Sequence, residues 1–234
     1  MVSTSSPTVL VTGATSGIGQ AIARGFAAAG HRVFAVGVGT IPEAEENLTY
    51  GMLDVQDSDA VNALVAPLGA LTVVINGAGI IRREAEHDPA VFQQVIDINL
   101  NGTMRVCAAA RPALAANKGS IINIASMLSY FGGGLVPGYA ASKGGIAQLT
   151  KSLAIAYAPD GIRVNALAPG WIATPLTEGL RNDPARSNAI LGRTPMARWG
   201  TPEDLVGPAR FLASPEAGFV TGSILNVDGG YAAM

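Results

Sequence analysis

Short runs rich in Val and Ile punctuate this chain at Thr8–Val11, Arg32–Val38, Thr72–Ile75, Ser120–Ile124, Arg163–Ala166 and Ile224–Val227. None alternates polar with apolar residues, and each is bounded by Gly, Asn or Pro. Strands buried on both faces read this way. Between them lie longer stretches with helical spacing: Gly17–Ala29, Pro89–Ala116, Tyr139–Ala158 and Pro202–Leu212. Regular alternation of the two patterns predicts an α/β fold: parallel βαβ units in one open, doubly wound sheet with helices on both faces. No repeat or linker interrupts it, so 234 residues predict a single domain, 1–234. With 49% hydrophobic and 14% charged residues the chain can bury a sizeable core.

Two segments depart from the rhythm. Gly37–Asp54 is too short to hold a full crossover helix between two strands; Glu43–Asn47 is expected to form a turn or two at most. Thr174–Trp199 is a long insertion with three prolines (Pro175, Pro184, Pro195) and Arg181, Arg186, Arg193 and Arg198. Long structured loops beside an active site often act as lids; a surface excursion or oligomer contact is the other reading.

Several function classes are excluded early. A net charge of -2 without like-charge blocks gives no nucleic-acid surface and no polybasic membrane patch. Met1–Pro7 lacks the apolar core of a signal peptide, and no apolar run reaches the ~18 residues of a membrane span. A cytoplasmic location is therefore expected. Cys107 is the only cysteine; its apolar helical setting reads as a buried small hydrophobe. His31 and His87 stand alone, so no metal is expected. No Gly-x-Ser-x-Gly elbow supports a serine hydrolase.

The first strand runs into Thr12-Gly13-Ala14-Thr15-Ser16-Gly17-Ile18-Gly19 and then a helix. Glycines permit a tight turn and close approach of a pyrophosphate, while the helix N-terminus offers unpaired N–H groups. The second strand ends in Val36-Gly37-Val38, with no acidic residue for a ribose diol and no Arg or Lys there or at Ser16 for a 2′-phosphate. A buried phosphate without partners is costly, so the balance leans to NAD, with NADP left open. Asp54 and Val55 follow the third strand, where a side chain could meet an adenine; Asn76, Gly77, Ala78 and Gly79 close the fourth.

Tyr139 and Lys143 lie at i and i+4, on one face of a helix. An ammonium near a phenol stabilises the phenolate, and such a pair facing a cofactor can exchange a proton with an alcohol near neutral pH. Ser126 ends the strand Ser120–Ile124, at the carboxyl edge where open sheets bind ligands. Asn99, polar among apolar neighbours, is either a helix-distorting structural residue or part of a proton path. Pro169, Gly170, Trp171 and Ile172 turn out of the sixth strand, and Thr174 could bond a nicotinamide amide.

Taken in order and spacing, these residues resemble the short-chain dehydrogenase/reductase family over essentially the whole chain. The carriers are the Gly13/Gly17/Gly19 turn, Asn76 to Gly79, Asn99, Ser126, Tyr139/Lys143, Pro169-Gly170 and Asp228-Gly229-Gly230. The resemblance implies a Rossmann-type parallel sheet of about seven strands and an NAD(P)-dependent interconversion of secondary alcohol and ketone. It implies Tyr139 as acid/base, Lys143 also holding the nicotinamide ribose, Ser126 orienting the carbonyl, and Asn99 ordering a water that relays protons through Lys143. It also implies a homotetramer or homodimer built on Pro89–Ala116 and Tyr139–Ala158. Gly79 to Arg83, Ala125 to Ser129, Arg198 to Gly200 and Asp204 to Pro208 further resemble the 2-dehydro-3-deoxy-D-gluconate 5-dehydrogenase and 2-deoxy-D-gluconate 3-dehydrogenase subgroup. That implies a sugar-acid substrate beside Trp171, whose carboxylate Arg82 and Arg83, or an arginine of the Thr174–Trp199 loop, could pair with; the other reading is that these arginines bind neighbouring backbone or solvent. The alternatives are a 3-oxoacyl-thioester or general carbonyl reductase, and a non-catalytic nucleotide-binding scaffold.

Overall fold

A computed structural model describes residues 7–234, so Met1–Ser6, where the signal-peptide reading falls, lie outside the described residues. Seven parallel strands form one sheet: β1 (Thr8–Thr12), β2 (Arg32–Gly37), β3 (Leu48–Met52), β4 (Leu71–Asn76), β5 (Ser120–Ile124), β6 (Arg163–Pro169) and β7 (Ile224–Val227). Their order is β3-β2-β1-β4-β5-β6-β7. The chain winds outward from β1 in one direction, then returns to β4 and winds in the other. The switch therefore lies between β1 and β4, which pair from Thr8 against Leu71 to Thr12 against Asn76, and ligands of such sheets bind at the carboxyl ends beside that point.

Helices cover both faces: α1 (Gly17–Ala28), α2 (Ser58–Val65), α3 (Pro89–Ile96), α4 (Gly102–Asn117), α5 (Pro137–Tyr157), α6 (Glu178–Arg181), α7 (Pro184–Gly192) and α8 (Val206–Ala213). Side chains of a strand alternate between faces, and β1 divides accordingly. Val9 and Val11 join a core with Ile22, Phe26, Ala209 and Leu212 of α1 and α8. Leu10 joins a second core with Val61, Val106, Leu114 and Leu153 of α2, α4 and α5. With both faces buried, every β1 position must be apolar or hydrogen-bonded, which explains the unbroken run.

The connection from β2 to β3 has no helix, as its length requires. Glu43–Asn47 does not form helical turns either. Glu45 and Leu48 exchange backbone hydrogen bonds across a tight turn, with Asn47 at φ 60. Glu45 is held by Arg24 of α1 at 2.8 Å and by the Tyr50 hydroxyl at 3.3 Å. So a side-chain clasp occupies the place of the missing helix. Exposed ion pairs of this kind contribute under about 1 kcal/mol; its use is to fix the loop.

The stretch expected as one helix, Pro89–Ala116, is α3 and α4 joined through a π-helical turn, Asp97–Asn101. Helix α2 carries no strong apolar run and escapes sequence reading. Its signal is Asp57, whose side chain caps the Asp59 and Ala60 amides at 3.0 and 2.9 Å, followed by buried Val61 and Val65 one turn apart.

Candidate active site

The glycine-rich turn is fixed by contact with the end of β4. Gly13 sits at φ 64, and a Cβ there would lie 2.5 Å from the Gly77 carbonyl. A Cβ on Gly77 would in turn lie 2.8 Å from the Thr12 carbonyl oxygen. A side chain on Gly19 would strike the Gly13 carbonyl. Gly17 (φ 56) opens α1, and Ser16 at the N-cap gives that helix no side-chain cap. Its first amides and dipole end thus face a groove of about 310 Å³ bordered by Gly13, Ile18, Gly79, Tyr139, Lys143 and Thr174. This is a cradle suited to a pyrophosphate. Thr15 donates its hydroxyl to the Val38 carbonyl at 3.2 Å, tying the turn to the end of β2.

Not every expected cofactor residue presents its side chain. Asn76 is 3% exposed, and its amide nitrogen donates inward to Asn123 at 2.9 Å and to Cys107 Sγ at 3.2 Å. Cys107 is buried as expected, and burial pushes its thiol up to about 12. Ala78 is fixed by its amide on the Thr12 hydroxyl at 3.3 Å. Asp54 accepts the backbone and side-chain amides of Gln56 at 2.9 and 3.3 Å. Val55 is buried, packed where a Cβ on Gly102 would touch it at 2.5 Å. Thr174, Pro169, Gly170 and Ile172 line the inner cavity beyond the groove.

The chemical residues do converge. Helix α5 carries Tyr139 and Lys143 on its inner face, with Lys143 Nζ 5.6 Å from the phenol ring centre. That nitrogen donates to the Ile124 carbonyl at 2.6 Å. The π-turn aims Asn99 at the same place: it is fully buried, and a Cβ on Gly79 would lie 3.3 Å from its Oδ1 and 3.9 Å from Lys143 Nζ. Its amide donates to the Ile80 carbonyl and the Ser142 hydroxyl, both at 3.0 Å, while Oδ1 accepts the Ile80 amide at 2.8 Å. Asn99 thus lies inside the π-turn with its side chain and Lys143 Nζ both beside Gly79. Ser126 Oγ caps the short turn Met127–Ser129, accepting the Leu128 amide at 3.2 Å, and lines the same cavity as the phenol.

On balance the phenol is held above its ordinary value, where the sequence reading expected a neighbouring ammonium to lower it. Burial holds Tyr139 above its ordinary value, while Ser126 and Arg83 pull it down and Glu86 pushes it up. Burial also pulls Lys143 down to about 8. An ammonium whose own charge is disfavoured is a weaker partner for a phenolate than the i, i+4 spacing suggests.

Beside the phenol lies a cavity of about 230 Å³ whose walls include Ser126, Tyr139, Trp171, Arg83 and Arg193. The expected arginines separate here. Arg82 is exposed and turns its guanidinium to the Ile81 carbonyl at 3.4 Å. Arg83 is half-buried, and burial together with the Arg186 charge lowers its pKa. Arg193 lies over the Tyr231 ring at 4.5 Å. Trp171 packs edge-on against Trp199 and Tyr231 at 6.0 and 6.4 Å. Arg198 is turned away onto Asp204 at 2.7 Å.

Residues 13–232 match a family model described as enoyl-(acyl carrier protein) reductase. The chain belongs to the short-chain dehydrogenase/reductase family. It is 42% identical to a 2-dehydro-3-deoxy-D-gluconate 5-dehydrogenase of Pseudoalteromonas atlantica over 95% of this chain and 94% of that one. It is 40% identical to a galactitol 2-dehydrogenase of Cereibacter sphaeroides over 94% and 93%. Among solved structures, a gluconate 5-dehydrogenase of Burkholderia cenocepacia in complex with NADP and tartrate superimposes with a TM-score of 0.88 at 34% identity, covering 97% of this chain and 95% of that one. As a short-chain dehydrogenase/reductase the chain is an NAD(P)-dependent oxidoreductase. An NAD preference finds no support in a relative that holds NADP. No helix among the described residues is long and apolar enough to cross a membrane, and they contain no cluster of potential metal ligands.

Sequence reasoning missed two residues of this site in the short-chain dehydrogenase/reductase frame. Tyr231 reaches the cavity from the chain end. Glu86 is 1% exposed and touches the base of Tyr139; as one acid in a polar stretch it carries no sequence signal.

Proposed function

We propose that this protein interconverts a secondary alcohol and a ketone on a sugar acid, with Tyr139 as the proton-transfer group. One observation carries the reading: the phenol, the Ser126 hydroxyl and the guanidinium groups of Arg83 and Arg193 share one cavity that continues into the groove at the α1 N-terminus. A ketose acid needs a proton donor at its carbonyl and cations at its carboxylate, and planar guanidinium groups suit a carboxylate. The 3-oxoacyl-thioester alternative would favour an apolar cleft without cations.

The groove fits a nicotinamide dinucleotide, because Gly13, Gly17, Gly19, Gly77 and Gly79 line it and the α1 N-terminus beside it has no side-chain cap. When bound, the nicotinamide supplies the carbon that gives or takes a hydride. In alcohol oxidation Tyr139 takes the hydroxyl proton, Ser126 holds the oxygen, and the carbon becomes a carbonyl. Lys143, with its nitrogen 5.6 Å from the phenol ring centre, would hold the nicotinamide ribose. Asn99 ties the Ile80 backbone to α5 through Ser142; its side-chain and backbone carbonyls already accept the Ile80 amide and the Thr103 hydroxyl, so a relay water would use a second lone pair of one of them. Gly13, Thr15, Ser16, Gly17, Ile18 and Gly19 serve the pyrophosphate side, and Thr174 the carboxamide.

Cofactor choice is weakly set. Val36-Gly37-Val38 offers neither a carboxylate nor a cation, so the reading is dual use with NAD favoured modestly. A screen of keto and hydroxy sugar acids against NAD and NADP side by side tests both parts. Turnover on sugar acids is expected, with kcat/KM for the two cofactors within about tenfold, a difference of roughly 1.4 kcal/mol. No turnover on any sugar acid would reject the substrate class; a preference of a thousandfold would reject the dual use.

Arg83→Ala is expected to raise KM for a sugar acid by about 10- to 100-fold, the loss of a charge-assisted hydrogen bond, while leaving a neutral polyol such as galactitol unaffected. Equal effects on the two substrates would remove Arg83 from carboxylate binding. The segment Thr174–Trp199 acts as a lid: Thr174, Leu176, Thr177 and Arg193 border the cavity, and Arg186 of α7 is close enough to act on Arg83.

The subunits associate through α4 and α5 as a tetramer or dimer. In support, Ile155 on the outer face of α5 is 78% exposed and Met104 of α4 is 38% exposed. Sedimentation of Ile155→Glu should give smaller species than the unmodified protein; an unchanged mass would place the interface elsewhere.

A further inference from the structure

A buried carboxylate ties the segment that carries Arg83 to the helix that carries Tyr139. Glu86 lies in a short turn, Ala85–His87, and is 1% exposed. Burying a carboxylate is costly unless donors surround it. Here one oxygen accepts the Arg82 backbone amide and the other the Tyr139 backbone amide, each at 2.7 Å. Those short distances are typical of charge-assisted bonds.

The Tyr139 bond replaces a missing helix cap. Val136, at the N-cap of α5, offers no side-chain bond, and Pro137 at the first position has no N–H. The Tyr139 amide is thus one of the few orphan donors of that first turn. Glu86 satisfies it from a distant segment and sets a negative charge at the positive end of the helix dipole. The fit is close: a Cβ on Gly138 would lie 3.3 Å from the same carboxylate oxygen and 3.2 Å from the Phe92 ring.

The second bond holds the strand-end loop that presents Arg83. The Glu86 amide returns to the Arg82 carbonyl at 3.1 Å, so Arg82 and Glu86 clasp each other and leave Arg83 at the apex. The Glu86 charge acts on both Tyr139 and Arg83.

We propose that Glu86 is a positioning residue that sets the phenol of Tyr139 and the guanidinium of Arg83 at a fixed separation, matching the distance between the reacting carbon and the carboxylate of one substrate. This rests on the sugar-acid reading above. Glu86→Gln keeps the size but turns an amide NH2 toward one of the two backbone N–H donors, breaking one bond.

The test is steady-state kinetics of Glu86→Gln on a sugar acid and on galactitol, with NADH binding followed by fluorescence. On both substrates kcat should fall by about ten- to a hundredfold, the scale of a small misplacement of a reacting group. KM should rise on the sugar acid alone, and NADH affinity should stay as in the unmodified enzyme. A drop in kcat with no KM difference between the two substrates would overturn the link to Arg83. Unchanged kinetics on both would overturn the proposal, and an unmodified enzyme inactive on sugar acids would fail the substrate reading instead. Should Glu86→Gln not fold, Gly138→Ala presses a methyl on the same contact from the helix side. It should lower kcat with the same split between substrates; normal kinetics there would overturn the proposal.

Discussion

Replacing Tyr139 by Phe should lower kcat by about 10²- to 10⁴-fold, the usual contribution of a positioned acid or base, and leave dinucleotide binding intact. The ring remains to fill the boundary between groove and cavity, where Tyr139 borders both. The hydroxyl alone is lost, and with it the proton acceptor for alcohol oxidation. Ser126 cannot replace it, since its oxygen already accepts the Leu128 amide and its own acidity is far too low. The loss is roughly 3–5 kcal/mol of transition-state stabilisation. It should appear in kcat and kcat/KM alike, because the proton moves only in the transition state. Full activity in Tyr139→Phe would refute the mechanism. Loss of NADH binding in that variant would point to a wider distortion.

Lys143→Met should give an enzyme that is nearly inactive and yet more stable at neutral pH. The activity loss is again about 10²-fold or more, because a phenol held up by burial then lacks its cation. The stability gain follows from burial of the ammonium. Lys143 is 5% exposed, and its pKa falls from 10.5 to about 8 on desolvation. That fall corresponds to roughly 3 kcal/mol of disfavoured charge. Methionine removes this penalty but leaves the Ile124 carbonyl without its 2.6 Å bond, a loss of about 1–2 kcal/mol. A net gain of about 1–2 kcal/mol is expected at pH 7.

The pH dependence has a definite sign. The folded-state value, about 8, lies below the unfolded one, 10.5. Below pH 8 both states hold the proton, and the folded protein carries the whole penalty. Between pH 8 and 10.5 the unfolded chain binds more protons than the folded one, so this group makes stability rise with pH. Urea unfolding of the two proteins at pH 7 and pH 10 should therefore show the advantage of Lys143→Met shrinking as pH rises. A variant less stable than its parent at pH 7, or a gap that stays constant through the window, would show that the ammonium is not held at a cost.

Both predictions concern residues visible in the linear order. Tyr139 and Lys143 share a helix, so their spacing alone sets them on one face. Ser126 and the Gly13 turn were readable because strand ends and glycines mark where a sheet of this kind turns. What the spacing could not supply was environment. The phenol was expected to be acidified by its neighbour, but burial raises it, and burial depends on walls contributed by distant segments. Nor could the spacing show that the Asn76 side chain turns inward to Asn123, a partner on the next strand.

The linear order determined the architecture. Unbroken apolar runs require a sheet covered on both faces, and the absence of room between β2 and β3 removes a helix there. It also determined which glycines meet at the switch point, since only they permit the close approach of β1 and β4. Only the tertiary structure decided which arginine enters the cavity, Arg83 with Arg193 and not Arg82, and that Glu86 spans two site elements. The physical reason is range. Periodicity and turn chemistry act within a few residues and are written in local composition. Side-chain direction, desolvation and trans-capping arise where segments far apart in the chain are packed together, and no local pattern encodes them.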